Sequence, residues 1–330
     1  MSATQLRYMS DDAEGIVRKR RGKGFVYYFE GKPVTDAAEK ERIKALAIPP
    51  AWTDVWVCPG PEGHIQATGR DSKGRKQYVY HEMWSVLSSE SKFGSLASFG
   101  ESLTAIRKRV RKDLARRKLD RDKVLAAVID IMDKTFMRIG SERYAKLNDS
   151  YGLTTLENCH VTVTGGTAEF SYRAKGGKER SLSLTDRAVA NTIKRCMEIP
   201  GYRIFRFVDG NGNVSAVDSD SVNEKLREIT GHGFTSKDFR TWGATVAALN
   251  SLKKAGESEA GGEKAIVRAV KEAAKVLGNT PATCRKYYVH PAILDAWRSG
   301  KIGAYSTPHG RRKYLSPDEV EVLRILKKVK

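Results

Sequence analysis

The chain has 330 residues, enough for two domains with hydrophobic cores, and carries 59 Lys and Arg against 39 Asp and Glu. The formal charge of +20 indicates a large polyanion as partner, leaving DNA, RNA and anionic membrane surfaces as candidates. No apolar run approaches the roughly 20 residues of a membrane-spanning helix. No secretory signal is visible either, so we expect a soluble cytoplasmic protein.

Residues 1–90 predict a small, strand-rich and basic domain. Thr35 and Asp36 can cap a helix, which Pro49-Pro50 closes. Short β-type segments flanked by Gly, Pro or basic turns surround this helix in the sequence. These predicted strands cover residues 25–29, 52–58, 64–68 and 76–80.

A basic turn at 69–75 precedes the last predicted strand, and that strand carries two tyrosines. Tyr78 and Tyr80 are two residues apart, so both rings lie on one face of a strand. With Gln77 and the cations Arg70 and Lys76, this face could meet base edges and phosphates in a groove. Alternatively the rings pack into the core, which the segment taken alone favours.

A stretch rich in serine and glycine at 88–98 predicts the domain boundary, so that residues 91–330 form a larger, mostly helical domain. A cationic helix is expected at 103–121, where it would add to the electrostatic attraction for a polyanion. An apolar helix follows at 123–138. Arg138 ends this helix, and a guanidinium leaving an apolar helix needs a carboxylate or a phosphate as partner.

Residues 160–184 change to a two-residue period and predict a three-stranded meander with two glycine turns. Lys175 lies at the second turn, where a hairpin could deliver it to a substrate, although a lysine in such a turn is ordinarily just solvated. Further along, Ser236 can cap a helix whose first turn presents Lys237 and Arg240 on one face. A helix N-terminus of this kind favours an anion.

The segment from 277 to 291 combines a helix stop, a helix start and two adjacent tyrosines. Gly278 can end the preceding helix, and Thr280 followed by proline can begin a short one. The new helix carries Tyr287 and Tyr288 beside two cations, which suggests a phenol held against phosphate or, alternatively, an ordinary basic surface. Cys284 is better explained as a packed thiol than as a nucleophile. The four cysteines form no CxxC pair, so no zinc site is expected.

Taken together, these motifs resemble the bacterial branch of the poxvirus-type type IB DNA topoisomerases. Lys175 follows Arg138 by 37 positions, Arg240 ends a Lys-Asp-Phe-Arg motif, and Tyr288 follows Asn279 by nine. The resemblance covers nearly the whole chain. It implies an α+β protein with a β-rich N-terminal domain and a mainly helical catalytic domain of the DNA breaking-rejoining type. It also implies two lobes closing around duplex DNA, a monomer, and association with the nucleoid.

The resemblance also implies a role for each motif residue. Tyr288 would attack a backbone phosphodiester to form a 3′-phosphotyrosine, while Arg138 and Arg240 clamp the non-bridging oxygens. Lys175 would protonate the departing 5′-oxygen. Asn279 stands where the viral enzymes carry histidine, which narrows its role to hydrogen bonding.

Two further expectations concern the neighbours of these residues and the cofactors. Lys237 would be an additional phosphate or leaving-group contact. Tyr287 rivals Tyr288, but adjacent helical residues point about 100° apart, and the spacing from Asn279 favours Tyr288. Because a phosphotyrosine ester conserves the bond energy, resealing needs no ATP, and we expect neither cofactor nor metal. The sequence has no GxxxxGK[ST] loop and no clustered carboxylates.

Two alternative functions remain open. A tyrosine recombinase shares the nucleophile and the phosphate clamp, but usually carries His-x-x-Arg where this chain has Lys237-Asp238-Phe239-Arg240. A non-catalytic DNA-binding protein would need the positive charge and not the tyrosine.

Overall fold

The computed structural model describes residues 6–22, 24–72, 74–84, 93–256, 261–305 and 313–328, with only the backbone described at 143 and 144. The chain divides into two compact units, residues 1–92 and 93–330. Among the described residues, no helix is both long enough and apolar enough to cross a membrane.

The first unit is an antiparallel sheet with one helix. Its elements are β1 (Ile16–Arg21), β2 (Gly24–Phe29), β3 (Lys32–Pro33), α1 (Ala37–Ala45), β4 (Thr53–Val57), β5 (Ile65–Arg70) and β6 (Lys76–Tyr80). The strands pair in the order β3-β2-β1-β4-β5-β6. Asp36 caps α1 as predicted, accepting from the amide of Ala38. Ile43 of α1 packs with Val55 and Val57 in a small apolar core.

The two tyrosines of β6 lie on the exposed face of this sheet. Val79 packs against the core, so the strand alternation turns Tyr78 and Tyr80 outward, where they are 43% and 45% exposed. Their rings stack with centroids 5.8 Å apart. Core packing of these rings, which the segment taken alone favoured, is therefore wrong.

The second unit is mostly helical and contains two small sheets. Its helices are α2 (Leu96–Leu114), α3 (Arg121–Thr135), α4 (Glu142–Asn148), α5 (Arg187–Met197), α6 (Ser219–Thr230), α7 (Ser236–Ala255), α8 (Glu263–Leu277), α9 (Pro281–Tyr287), α10 (Pro291–Arg298) and α11 (Pro317–Lys328). Its strands are β7 (Val161–Thr164), β8 (Thr167–Ala174), β9 (Lys178–Thr185), β10 (Arg206–Val208) and β11 (Val214–Ala216). The expected meander is present as β7-β8-β9.

The cationic helix differs from its prediction at both ends. It begins at Leu96, inside the stretch expected to be a linker, because Leu96, Phe99 and Leu103 recur on one buried face. It ends at Leu114, and the next helix, α3, begins at Arg121. The helix start predicted at residue 103 is therefore wrong, and residues 88–92 of the serine- and glycine-rich stretch lie outside the described residues.

Part of the cationic run is internally neutralised rather than solvated. Arg107 donates from Nε to Asp133 at 2.7 Å and from Nη2 to Glu319 at 2.7 Å. The indole of Trp242 donates to the same Glu319 carboxylate at 2.9 Å. These contacts tie α2, α3, α7 and α11 together, and they raise the pKa of Arg107 although its burial opposes this. For Arg107, the expectation of a DNA-attracting surface is wrong.

Candidate active site

Arg138 is positioned by a tight end to helix α3. Phe136 adopts a left-handed conformation (φ 53°), and its amide donates to the carbonyl of Met132 at 2.9 Å. The Phe136 ring packs on Gly243 of α7, where a Cβ would lie 2.3 Å from the ring. The core helix therefore ends three residues before Arg138, rather than at it as predicted, and directs the chain toward α7.

Two glycines hold the next part of this segment. The carbonyl of Arg138 accepts from the amide of Leu153 at 2.8 Å. A Cβ on Gly152 would come within 2.5 Å of the backbone nitrogen of Gly140, which itself has φ +100°. The backbones can approach this closely only because both residues lack side chains.

Arg240 lies in the first turn of α7. Thr235, one residue before the predicted cap, begins this helix, and its amide donates to the carboxylate of Asp238 at 2.7 Å. The Arg240 guanidinium is buried and donates to the backbone carbonyls of Phe136 and of Leu277, the latter at 3.1 Å. Lys237 is exposed on the same turn.

The α8–α9 junction follows the prediction closely. Gly278 ends α8 in the left-handed conformation (φ 63°), and the amide of Asn279 donates back to the carbonyl of Ala274 at 2.9 Å. Thr280 begins α9 by accepting from the amide of Thr283 at 3.3 Å, with Pro281 in the first turn. This geometry fixes the direction of the Asn279 side chain.

The amide of Asn279 joins the two arginines. Its Oδ1 accepts from Nη2 of Arg138 and from Nη2 of Arg240, the latter at 3.4 Å. Its Nδ2 is buried and finds no hydrogen-bond partner within the described parts of the chain, and the same holds for Nε of Arg240. Buried donors without partners are rare in folded proteins. The cluster therefore contains two buried N–H groups whose hydrogen bonds are not made among the described residues.

Tyr288 completes the cluster. It caps α9 with φ −134° instead of lying inside the helix as expected, and its ring centroid is 5.3 Å from the Arg240 guanidinium carbon. The Tyr288 carbonyl accepts from the hydroxyl of Thr245 at 3.2 Å, which fixes the backbone against α7. Tyr287 is 38% exposed, with the Lys286 ammonium 5.3 Å from its ring centroid.

Charge concentrated in this cluster changes the acidity of its members. Burial alone would raise the pKa of Tyr288, but the positive charge and hydrogen bonding of Arg240, with the charges of Arg138 and Lys237, lower it overall. Burial and the charge of Arg138 lower the pKa of Arg240 to about 10. Burial likewise lowers the pKa of Arg138. The described part of the site therefore combines positive charge with unpaired hydrogen-bond donors, which is the combination that an anion-binding site needs.

The other predicted site residues are distributed as follows. Lys175 is exposed at the turn between β8 and β9. In the first unit, Lys76 pairs with Asp11 at 2.5 Å, which raises the pKa of Lys76 despite partial burial. Gln77 donates to Asp71 at 2.8 Å. Arg70 donates to the Gly74 carbonyl at 3.0 Å and lies 3.5 Å from Asp54.

Sequence analysis missed two residues beside the cluster. Arg180 of β9 donates to the carbonyls of Leu277 (2.8 Å) and Val276 (3.0 Å). Tyr172 pairs with Arg180 across the hairpin and is buried, which raises its pKa although the nearby arginines oppose this. The alternation of strand residues could have placed Tyr172 inward, but nothing local pointed Arg180 at a helix end.

The cysteines behave largely as expected. Cys284 is the buried residue of α9, and burial raises the pKa of its thiol to about 11. Cys159 is exposed, and its sulfur lies within 4.8 Å of ligand atoms of Glu157 and His160. Nδ1 of His160 already accepts from the backbone amide of Glu157 at 3.0 Å.

A strand-rich first unit, a helical second unit and a phenol held against paired guanidiniums define the class of enzymes that break and rejoin DNA. The family profile described as the catalytic core of eukaryotic DNA topoisomerase I matches residues 76–307. A second profile, the N-terminal domain of bacterial DNA topoisomerase IB, matches residues 24–71. The chain belongs to the type IB DNA topoisomerase family, and it is an isomerase of DNA.

Two viral relatives agree with this assignment, and one solved structure is similar to the chain without bearing on the assignment. The DNA topoisomerase 1B of Acanthamoeba polyphaga mimivirus is 32% identical over 325 residues, covering 95% of each chain. That of vaccinia virus (strain Copenhagen) is 23% identical over 69% of this chain and 70% of its own. The solved XerH site-specific recombinase bound to palindromic difH substrate superposes with a TM-score of 0.37 and 18% identity over 57% of this chain and 47% of its own.

Proposed function

We propose that this chain relaxes supercoiled duplex DNA as a monomer, cutting one strand through Tyr288 and resealing it. The single observation that supports this most is the convergence of Arg138, Arg240 and Asn279 around the Tyr288 ring. These three side chains come from segments more than 30 residues apart, and together they offer unsatisfied donors beside a phenol. A tetrahedral phosphodiester supplies the acceptors that they lack.

In the proposed reaction the Tyr288 oxygen attacks the phosphorus and forms a phosphotyrosine ester with the 3′-strand end. The bond from phosphorus to the 5′-oxygen breaks, and that oxygen takes a proton from the Lys175 ammonium. The phenolic proton passes to solvent. Resealing is the reverse transfer: the 5′-hydroxyl attacks, tyrosine leaves and Lys175 recovers its proton.

Each donor has a separate electrostatic task. Arg138 and Arg240 hold the non-bridging oxygens as charge builds on the phosphorane, and removing one such donor costs about 3–4 kcal/mol in comparable sites. Asn279 holds both guanidiniums through its oxygen and gives its free N–H to the phosphate. Lys237 contributes long-range positive charge that favours the phenolate. None of these tasks calls for ATP or a metal ion.

The first unit would supply much of the grip on duplex DNA. The exposed, stacked pair of Tyr78 and Tyr80 offers a flat aromatic surface, and Gln77 lies between them and the basic turn. Lys76 and Arg70 are paired with carboxylates in the free protein. We propose that phosphates replace these carboxylates; the exposed Arg70–Asp54 pair contributes about 1 kcal/mol or less, and the half-buried Lys76–Asp11 pair is the harder one to replace. Residues 1–90 would then form the DNA-binding domain and residues 91–330 the catalytic domain.

The experiment compares relaxation of supercoiled plasmid by the parent chain, Tyr288→Phe and Tyr287→Phe, with EDTA present and ATP absent. We expect Tyr288→Phe to bind DNA normally yet neither relax it nor form a covalent adduct. Tyr287→Phe is the matched control, because it loses an adjacent phenol hydroxyl, and it should relax plasmid like the parent. Relaxation by Tyr288→Phe, or an adduct at another residue, would refute the proposal.

A further inference from the structure

One side chain that the proposed chemistry does not use anchors the hairpin carrying Lys175. The guanidinium of Arg180 donates to the carbonyls of Leu277 at 2.8 Å and Val276 at 3.0 Å. Both carbonyls belong to the last turn of α8, where carbonyls lack partners within the helix and the helix dipole is negative. The fixed fork of an arginine can satisfy two such carbonyls at once.

Gly278, the residue after this turn, leaves room for the guanidinium because it has no side chain. A Cβ on Gly278 would lie 2.3 Å from Nη1 of Arg180, closer than any real contact. The next residue is Asn279, which joins the two clamp arginines. Arg180 therefore contacts the backbone immediately before Asn279, whose side-chain amide joins the two arginines.

The anchor is close to the hairpin tip. Arg180 pairs with Tyr172 across β8 and β9, two residue pairs from the last pair before the turn, Ala174 with Lys178. At roughly 3.3 Å per residue, the anchor lies about 7 Å from the base of the turn that holds Lys175. Tyr172 is buried beside it, so this part of the hairpin is packed while the tip is exposed.

We infer that Arg180 is a positioning residue that docks the Lys175 hairpin onto the end of α8, so that the general acid is held in a fixed position relative to the rest of the site. This inference rests on the proposed role of Lys175. Arg180 acts through its two carbonyl partners and not on the phosphate. Losing it should impair proton delivery more than it impairs attack by Tyr288.

A substrate with sulfur in place of the 5′-bridging oxygen separates these effects. A thiol has a pKa of about 8.5, so the sulfur leaves without needing a proton from the enzyme. On the oxygen substrate we expect Arg180→Ala to slow single-turnover cleavage by about 100-fold, the cost of a misplaced catalytic group. On the sulfur substrate it should cleave within about threefold of the parent.

Three further variants complete the design, of which Lys175→Ala lacks the general acid itself and should be slow on the oxygen substrate and rescued by sulfur. Arg173→Ala removes the same charge from the same hairpin, where the guanidinium is exposed and lies 3.4 Å from Asp149, and it should match the parent on both substrates. Arg180→Lys keeps the charge but loses the two-carbonyl fork, and should show a smaller slowing with the same rescue by sulfur. Melting curves identify any variant that fails to fold.

The outcomes distinguish this inference from the proposed function. If Lys175→Ala is not rescued by sulfur, the general-acid proposal itself fails. If Lys175→Ala is rescued but folded Arg180→Ala and Arg180→Lys stay slow on both substrates, the docking inference is overturned and the proposed function stands. Slowing of Arg173→Ala equal to that of Arg180→Ala would also overturn it, since net charge would then explain the effect.

Discussion

Replacing Asn279 by aspartate tests whether the amide is there to serve the phosphate or to stabilise the arginines. The variant is isosteric and keeps an oxygen acceptor for Arg138 and Arg240. It replaces the unpartnered N–H with a second oxygen that carries charge. A stabilising role and a phosphate-binding role therefore predict opposite results for function.

The magnitude follows from the geometry. In the parent, Nδ2 of Asn279 would donate to a phosphate oxygen, which brings the two groups to hydrogen-bond distance. In Asn279→Asp two negative charges would lie about 4 Å apart, costing about 4 kcal/mol at an effective dielectric constant of 20. At 1.36 kcal/mol per factor of ten, single-turnover cleavage should slow by about 1,000-fold.

The Asn279→Asp variant should be more stable than the parent, although its cleavage is slower. Burial lowers the pKa of both Arg138 and Arg240, so their charged forms are disfavoured in the free protein. A carboxylate between them supplies the missing charge, so Asn279→Asp should melt at a higher temperature than the parent. Asn211→Asp, the same change in an exposed turn, is the control and should alter neither property. Cleavage by Asn279→Asp within tenfold of the parent, or a lower melting temperature, would refute the reasoning.

Four other variants test the backbone at the α8–α9 junction, the acidity of Tyr288 and the ion pair of Arg107. Gly278→Ala should destabilise the fold by more than the 1–2 kcal/mol of a left-handed alanine, because its Cβ also displaces Arg180, as melting curves can show. In a difference titration of tyrosinate absorbance, Tyr288→Phe should lose one phenol that titrates below pH 10. Arg240→Gln should shift that titration to higher pH, since it removes the charge that favours phenolate. Glu319→Gln should lower the free energy of unfolding by about 3 kcal/mol in denaturant, because it breaks the buried ion pair with Arg107. Cleavage should not slow, because this ion pair takes no part in the proposed reaction.

Each expectation has an outcome that contradicts it. Gly212→Ala has a positive φ of 86° and open space for a Cβ, so equal losses in Gly212→Ala and Gly278→Ala would remove any role for the Arg180 contact. An unchanged tyrosinate titration in Tyr288→Phe would mean that another phenol is the acidic one. If Glu319→Gln is as stable as the parent, the ion pair does not stabilise the fold. If the folded variant cleaves slowly, the ion pair does affect the reaction.

Much of the active site could be predicted from local sequence because its backbone is built from local signals. Gly278, Thr280 and Pro281 specify the α8–α9 junction within a few residues, and the structure has it as predicted. The meander likewise follows from its two-residue period and its glycine turns. The roles of the catalytic residues came from the order and separation of motifs and remain predictions.

Other features depended on contacts that no local pattern encodes. The start of α2 was misplaced because Leu96 and Phe99 are recognisable as a helical face only against the core they fill. In the sequence Arg107 looks like a surface charge, yet it is neutralised by Asp133 of the next helix and by Glu319 of the distant α11.

Sequence by itself determined where the local turns fall, since capping, glycine conformation and strand alternation act over a few residues, and it predicted which residues carry the chemistry. Only the tertiary structure decided which donors are already satisfied. Among the residues that the structure describes, it left Nδ2 of Asn279 without a hydrogen-bond partner and gave Arg180 two carbonyls at the end of α8. The physical reason is that hydrogen-bond partners are chosen by proximity in space, and these partners lie up to 141 residues apart in the chain.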